Sequence, residues 1–410
     1  MLTQPIHTRI HFLLSCLIAF LLPFKQIVSI CIGLLLLNWI LEGDFKNKFS
    51  NLNHRNLFVL FIGFYLVHVL GLCWTENQPA GWFDLEVKLS LFIFPFIFAT
   101  RPFAKEQMDK IFVSFLTGCA LASLIILARA CWIYLFRHEN KFFYEEFSWF
   151  MHPSYFSMYL NFCLLFVLIS FSRGADRPRK AWLLLVPLFL LVIVLLSSKL
   201  GLITLVLLIL SWLIWVVIRH RWYKIGLFSV SVLVLGIAGV LKFSPDISSR
   251  IKNAVHAVST KPADKSDAES TAVRMFVWGA AADVIHAHPW IGVGTGDAKD
   301  ALMEKYKEED ITGALKNHLN AHNAYLQVFV ALGLLGFMLL AAMQILPCVV
   351  ALREKKIMLL SFILLAVLNF LPEAMLETQA GVMYYGFFNS LLLFSDGNGF
   401  RLSFPKLSWF

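Results

Sequence analysis

Residues 181–218 read AWLLLVPLFLLVIVLLSSKLGLITLVLLILSWLIWVVI. Two apolar runs, 181–198 and 200–218, flank a turn so tight that Lys199 is its one charged residue. Each run approaches the ~20 residues that a helix needs to cross ~30 Å of hydrocarbon. Spanning helices satisfy their own backbone N–H and C=O groups, which a bilayer cannot do for them. Lysine at mid-bilayer costs ~2.5–3.5 kcal/mol on insertion scales, so Lys199 belongs at an interface or in a polar cavity.

The pattern extends in both directions. Apolar runs recur near 10–24, 26–41, 57–74, 85–99, 111–136, 153–172, 181–198, 200–218, 223–241, 323–350, 357–371 and 379–395, twelve in all. The first two and 357–371 are short for a span. Pro23 and Lys25 favour a hairpin over one long tilted helix across 10–41. The chain is 59% hydrophobic and 15% charged, whereas a soluble domain is ~50% apolar and ~25% charged. The expected fold is all-α, a polytopic bundle of about twelve transmembrane helices with one large helical outer loop. Its expected parts are 1–241 (nine spans), 242–321 (the outer loop) and 322–410 (three spans and a cytoplasmic tail).

The net charge of +9 fits the Lys and Arg that cytoplasmic loops collect. It does not call for a nucleic-acid partner. Lys46, Lys48 and Arg55, then Arg101, Lys105 and Lys110, then Arg173, Arg177, Arg179 and Lys180 fall on one side. So do Arg219, Arg221, Lys224, Arg353, Lys355 and Lys356. The short loops of the other side carry only Lys25, Arg137, Lys141 and Lys199. The basic side is read as cytoplasmic, which puts 242–321 outside. The seven cysteines fall in or at the ends of apolar runs, so neither a disulfide framework nor a Cys zinc site is expected. The N-terminus lacks a small-residue cleavage pattern, and no removable signal peptide is expected.

The long polar interval holds the chemistry. From Thr271, apolar residues fall at Val273, Phe276, Val277, Ala280, Ala281, Val284 and Ile285, the stripe of an amphipathic helix that Pro289 ends. Arg274 and Trp278 are four apart on neighbouring faces. Spacing alone fits a solvated arginine on a surface helix better than a site. In PWIGVGTGD, Gly292, Gly294 and Gly296 alternate before Asp297. The third glycine is misplaced for a dinucleotide fingerprint, and a turn is favoured over an anion cradle. Asp297 can cap a helix from 298 to about 309. His318 and His322 have metal-ligand spacing, but no Glu stands beside His318 and no Cys is near. No catalytic metal and no cofactor are expected. His322 and Asn323 open the span 323–350, where an imidazole can serve as a general base and capping is the plain alternative. On the same side lie His152 in an aromatic segment, Glu373 and Glu377 between the last spans, and Asp84 and Lys88, which can pair at i, i+4. Interfacial anchoring and a solvated loop are the bland accounts of the first two. Transporters place polar residues at mid-membrane, on broken helices in two related halves. Here polar residues gather at the outer edge and the halves do not match, so transport is the lesser reading.

The run R-x-x-x-W, HPWIGVGTGD, HLNAHNAYLQ and LGLLG, between residues 274 and 336, resembles the O-antigen ligase and O-antigen polymerase superfamily of bacterial envelopes. The SSKLG turn, the His152 segment and the Glu373 and Glu377 positions follow in the order that family shows. The resemblance implies a GT-C-like, metal-independent membrane glycosyltransferase of the bacterial plasma (inner) membrane, with its site facing the periplasm. Such an enzyme moves a glycan from undecaprenyl pyrophosphate to an acceptor hydroxyl. In ligases the acceptor is lipid A–core; in polymerases it is another lipid-linked repeat. The length and the extended outer loop favour a ligase. The resemblance makes Arg274 and His322 catalytic, and places Lys199, Asn323, Trp278, His152, Glu373 and Glu377 at the substrates, with membrane lipids around them. Lys199 stands where many members have arginine, which keeps the charge but not the planar fork. Direct displacement would invert the anomeric centre.

Overall fold

The computed structural model describes residues 4–24, 27–50, 57–172, 181–220, 265 and 271–395. The apolar run 223–241 and most of the polar segment 259–270 lie outside the described residues. The described residues form helices and turns with no ladder strand. The helices are α1 (Gln4–Leu21), α2 (Val28–Glu42), α3 (Phe45–Ser50), α4 (Phe58–Gly71), α5 (Gln78–Lys88), α6 (Ser90–Thr100), α7 (Lys105–Arg137), α8 (Tyr144–Phe147) and α9 (Pro153–Ser172). They continue as α10 (Leu185–Leu196), α11 (Lys199–His220), α12 (Thr271–Ala287), α13 (Ala298–Glu308), α14 (Thr312–Lys316), α15 (Ala324–Arg353), α16 (Ile357–Phe370) and α17 (Gln379–Phe394). Four described segments are long and apolar enough to cross a membrane: Gln4–Phe24, Lys105–Arg137, Pro153–Phe171 and Ala324–Arg353. Shorter apolar helices accompany them. The fold is an all-α polytopic membrane protein.

The chain forms two compact units. One comprises Met1–Gly118, Ala281–Ala301 and Ala321–Phe410; the other comprises Cys119–Ala280 and Leu302–Asn320.

In the first unit α17 is the central helix. Every residue from Ala380 to Phe394 is buried, as expected of a helix that is apolar all round. Phe94 and Phe98 pack ring to ring on its Phe387, and Phe115 and Phe362 on its Phe388. The α1/α2 hairpin forms as Pro23 predicts, with His7 Nδ1 2.9 Å from Asn38 Oδ1 across it. Its basic partners are neutralised: buried Glu42 pairs with Lys48 at 2.8 Å and with Arg101.

Helix α15 departs from the single straight span that its hydropathy suggests. Gly333 sits inside it at φ 61°, ψ −156°, a region essentially restricted to glycine. The helix folds back there. The Tyr325 hydroxyl donates to Gln344 Oε1, nineteen residues on, where a straight helix would separate the two Cα atoms by ~28 Å. Phe329 stacks on Phe337 with ring centroids 5.2 Å apart. The 20 residues after the break are ~30 Å long, enough to span alone. The nine before it make a short arm that begins at His322 and Asn323. The break strands backbone groups, and the glycine segment takes them up. Val293 N–H donates to Val330 O and Gly294 N–H to Ala331 O, both at 2.9 Å, and Leu334 N–H returns to Pro289 O at 2.9 Å. Irregular backbone at membrane depth persists only where protein satisfies it.

In the second unit α9 packs against α10 and α11. Ser197 ends α10 in the left-handed region at φ 49°. Asn161 Nδ2 donates to Gly201 O at 3.0 Å, and the Ser154 and Ser198 hydroxyls are 3.2 Å apart. A Cβ on Gly201 would lie 2.4 Å from Ser157 Cβ. These contacts explain the tight turn that carries Lys199. Arg129, within α7, snorkels so that its guanidinium donates to Glu146 O at 2.9 Å and lies over Trp149.

Candidate active site

The first unit brings together His322, Asn323, Glu373 and Glu377, and adds Lys88. His322 is held in the left-handed region, φ 43°. Histidine visits that region more readily than most side chains, but it is still uncommon. Two side chains fix the backbone on either side. Asn323 caps α15, its Oδ1 accepting from Tyr325 N–H at 2.9 Å and Leu326 N–H at 3.0 Å. Gln327 reaches back so that its Oε1 accepts from Ala321 N–H at 3.0 Å. That is a close variant of the capping box.

The His322 Nδ1 lies 3.4 Å from Glu373 Oε2. The imidazole is partly exposed (24%) and the carboxylate mostly covered (10%). A carboxylate on Nδ1 selects the tautomer with its proton there, leaving Nε2 as the basic nitrogen. The arrangement can accept a proton from a hydroxyl and stabilise the imidazolium that results.

Glu373 belongs to the 371–378 connection between α16 and α17. Those helices have 14 and 16 residues, ~21 and ~24 Å, both short of a full hydrocarbon thickness. The connection turns tightly: Met375 N–H donates to Glu373 O at 2.8 Å, and Glu377 N–H to Ala374 O at 3.0 Å. Glu377 Oε1 is 3.0 Å from Lys88 Nζ, and Lys88 also pairs with Asp84. The Asp84 and Lys88 pairing was legible from their i, i+4 spacing; the third partner was not. Burial pushes the Glu377 carboxyl up from its ordinary value, and the Lys88 ammonium pulls it back.

The glycine segment is used structurally. Beyond its bonds to α15, Thr295 Oγ1 donates to His68 O at 2.6 Å, and Gly296 N–H donates to Thr75 Oγ1 at 3.2 Å. The Asp297 carboxylate accepts from Glu76 N–H and Asn77 N–H, both at 2.7 Å. Asp297 therefore caps the approach to α5 with its side chain, while its carbonyl starts α13.

The second unit holds Lys199, His152, Arg274 and Trp278. Lys199 opens α11 at the turn already described and is half-buried. His152 precedes α9: Ser154 N–H donates to its Nδ1 at 3.3 Å, and its Nε2 lies 3.5 Å from Glu145. Helix α12 forms with the expected stripe. Val273, Val277, Ala280 and Ala281 are buried, and Arg274 and Trp278 are half-buried. The Trp278 indole Nε1 is buried and has no hydrogen-bond partner among the described residues.

These features define a helical membrane protein with a histidine and carboxylate pair set where a broken helix begins. Residues 181–341 match the family model described as O-antigen ligase, a match that supports the O-antigen ligase superfamily. The match takes in Lys199, Arg274, Trp278, His322 and Asn323. It supports a membrane glycosyltransferase of the O-antigen ligase/polymerase type. No curated protein matches the chain.

Proposed function

We propose that the protein transfers a glycan from undecaprenyl pyrophosphate to an acceptor hydroxyl on the periplasmic face of the bacterial inner membrane. The preferred acceptor is lipid A–core. The observation that carries this reading is the His322/Glu373 pair on a backbone held in an uncommon conformation by Asn323 and Gln327. Strain that the surroundings over-determine clusters at functional sites.

In the reaction, His322 Nε2 takes the proton of the acceptor hydroxyl while Glu373 holds the imidazole. The acceptor oxygen forms its bond to the sugar C1 as the C1–O bond to the pyrophosphate breaks, and the electron pair leaves with the pyrophosphate. One displacement inverts C1. Charge grows on the leaving group, and cations stabilise it without donating a proton. The family resemblance gives that role to Arg274 and Lys199, and a substrate-contacting role to Trp278 and His152. The parts 1–241, 242–321 and 322–410 serve as spanning, periplasmic and spanning segments in this reading.

A deletion strain tests the acceptor. Polymer accumulating on undecaprenyl pyrophosphate supports a ligase. Single repeats capped onto lipid A–core make it a polymerase, and an unchanged glycan profile removes the glycosyltransferase reading. In that strain, Arg274→Ala and Lys199→Ala should fail to complement while Lys199→Arg complements. Equal complementation by both Lys199 variants would take Lys199 out of the site.

A further inference from the structure

We propose that Lys88 is a positioning residue: a buried ammonium that tethers the Glu377 end of the 371–378 connection so that Glu373 meets His322. The proposal rests on the reading of His322 and Glu373 as the proton-accepting pair. Lys88 is 2% exposed and lies between two carboxylates, Asp84 on its own helix and Glu377, 289 residues away. Removing an ammonium from water is costly, and a well-packed apolar side chain in its place is often the more stable solution. One cation between two carboxylates also leaves the cluster a net anion. Stability alone gives no reason for this arrangement, and fixing a connection in space does.

The tether has a stiff path to the dyad. Ala374, Met375 and Leu376 are buried between the two glutamates, and the backbone bonds at 2.8 and 3.0 Å make the link a tight turn. Glu373 meets His322 at 3.4 Å, near the outer limit of a hydrogen bond. A small drift of the connection breaks that contact.

Asp84 and Glu377 separate tethering from charge balance. Asp84→Leu and Glu377→Leu each remove one carboxylate and leave Lys88 in a neutral pair with the other. Only Glu377→Leu cuts the tether. The full-length protein is assayed in membranes with lipid-linked donor and acceptor, alongside thermal unfolding. We expect Glu377→Leu and Lys88→Met to lower kcat about tenfold or more with the acceptor KM within about twofold, while Asp84→Leu keeps at least about half of kcat. If Lys88→Met does not fold, the two leucine variants carry the test. Equal kcat for these two, or losses that track Tm in both, would overturn the proposal. So would a raised acceptor KM in Glu377→Leu, which would put that residue on the substrate. His322→Ala is measured in parallel: an active His322→Ala removes the underlying base assignment, whereas an inactive one with an active Glu377→Leu removes the tether alone.

Discussion

Two stretches of the first unit bend the backbone where ordinary residues do not go, and they do so with opposite means. At the break in α15, glycines take the unusual conformations: Gly292 at φ 68°, Gly294 at φ 115° and Gly333 at φ 61°. The N–H groups of Val293, Gly294 and Leu334 are committed to carbonyls, and that of Gly296 to a hydroxyl, of the same unit. At the start of α15 the left-handed residue is His322, and three side chains, Asn323, Gln327 and Glu373, hold it there. Glycine suffices where only the chain path matters. A strained histidine is kept where its ring is needed, and the surrounding bonds offset the strain.

The sharpest way to break this contrast is to put a glycine at the histidine. His322→Gly relieves the backbone, so Tm should hold or rise, while transfer falls at least about a hundredfold with the general base gone. Thermal unfolding and single-turnover transfer on the same preparation check both halves. A variant that keeps its rate would make His322 a scaffold residue like Gly333. Next in size is Glu373→Gln, which keeps the shape and removes the charge. It should lower kcat about 10- to 100-fold with the acceptor KM unchanged. An unchanged kcat would leave the 3.4 Å contact without a catalytic part.

The membrane spans were legible because a bilayer imposes one pattern over some twenty consecutive residues. The α1/α2 turn at Pro23, the stripe on α12 and the Asp84 and Lys88 spacing are likewise local patterns. The break at Gly333 was not legible. Glycine is common within transmembrane helices, and the segment that satisfies the break lies some forty residues upstream. HPWIGVGTGD read as a turn, and its N–H groups do serve structure, but nothing local names Val330 and Ala331 as their acceptors. His322 and Asn323 were singled out as residues. Glu373, Glu377 and Lys88 were singled out as well, but not which residues they meet, because Glu373 is 51 residues from His322 and Glu377 reaches Lys88 across 289. Side-chain meetings at such separations leave no period to read.

The glycine side of the contrast predicts a loss of a different kind. A Cβ on Gly333 would lie 2.4 Å from Trp290 backbone atoms, at dihedrals that side chains do not adopt. Gly333→Ala should destabilise the fold by about 1–3 kcal/mol. The loss should appear as lower Tm and folded yield, with kcat per folded molecule near wild type. A large fall in kcat at unchanged Tm would mean that the break takes part in the chemistry.

The smallest effect belongs to the cap that joins the two regions, since Asn323 starts the arm that Gly333 ends. Asn323→Ala strands the N–H groups of Tyr325 and Leu326 and should cost about 1 kcal/mol. Because that backbone also fixes His322, kcat should fall too, by less than in Glu373→Gln. Asn323→Asp keeps a carboxylate oxygen where Oδ1 sits and places negative charge at a helix N-terminus, which favours it. Its Tm should therefore match wild type or exceed it. With the cap intact, its kinetics isolate what the side-chain amide does beyond capping. If Asn323→Asp also keeps the acceptor KM, Asn323 serves the backbone alone. If KM rises while Tm holds, the amide contacts the substrate, and the start of α15 supplies both the base and part of the binding surface.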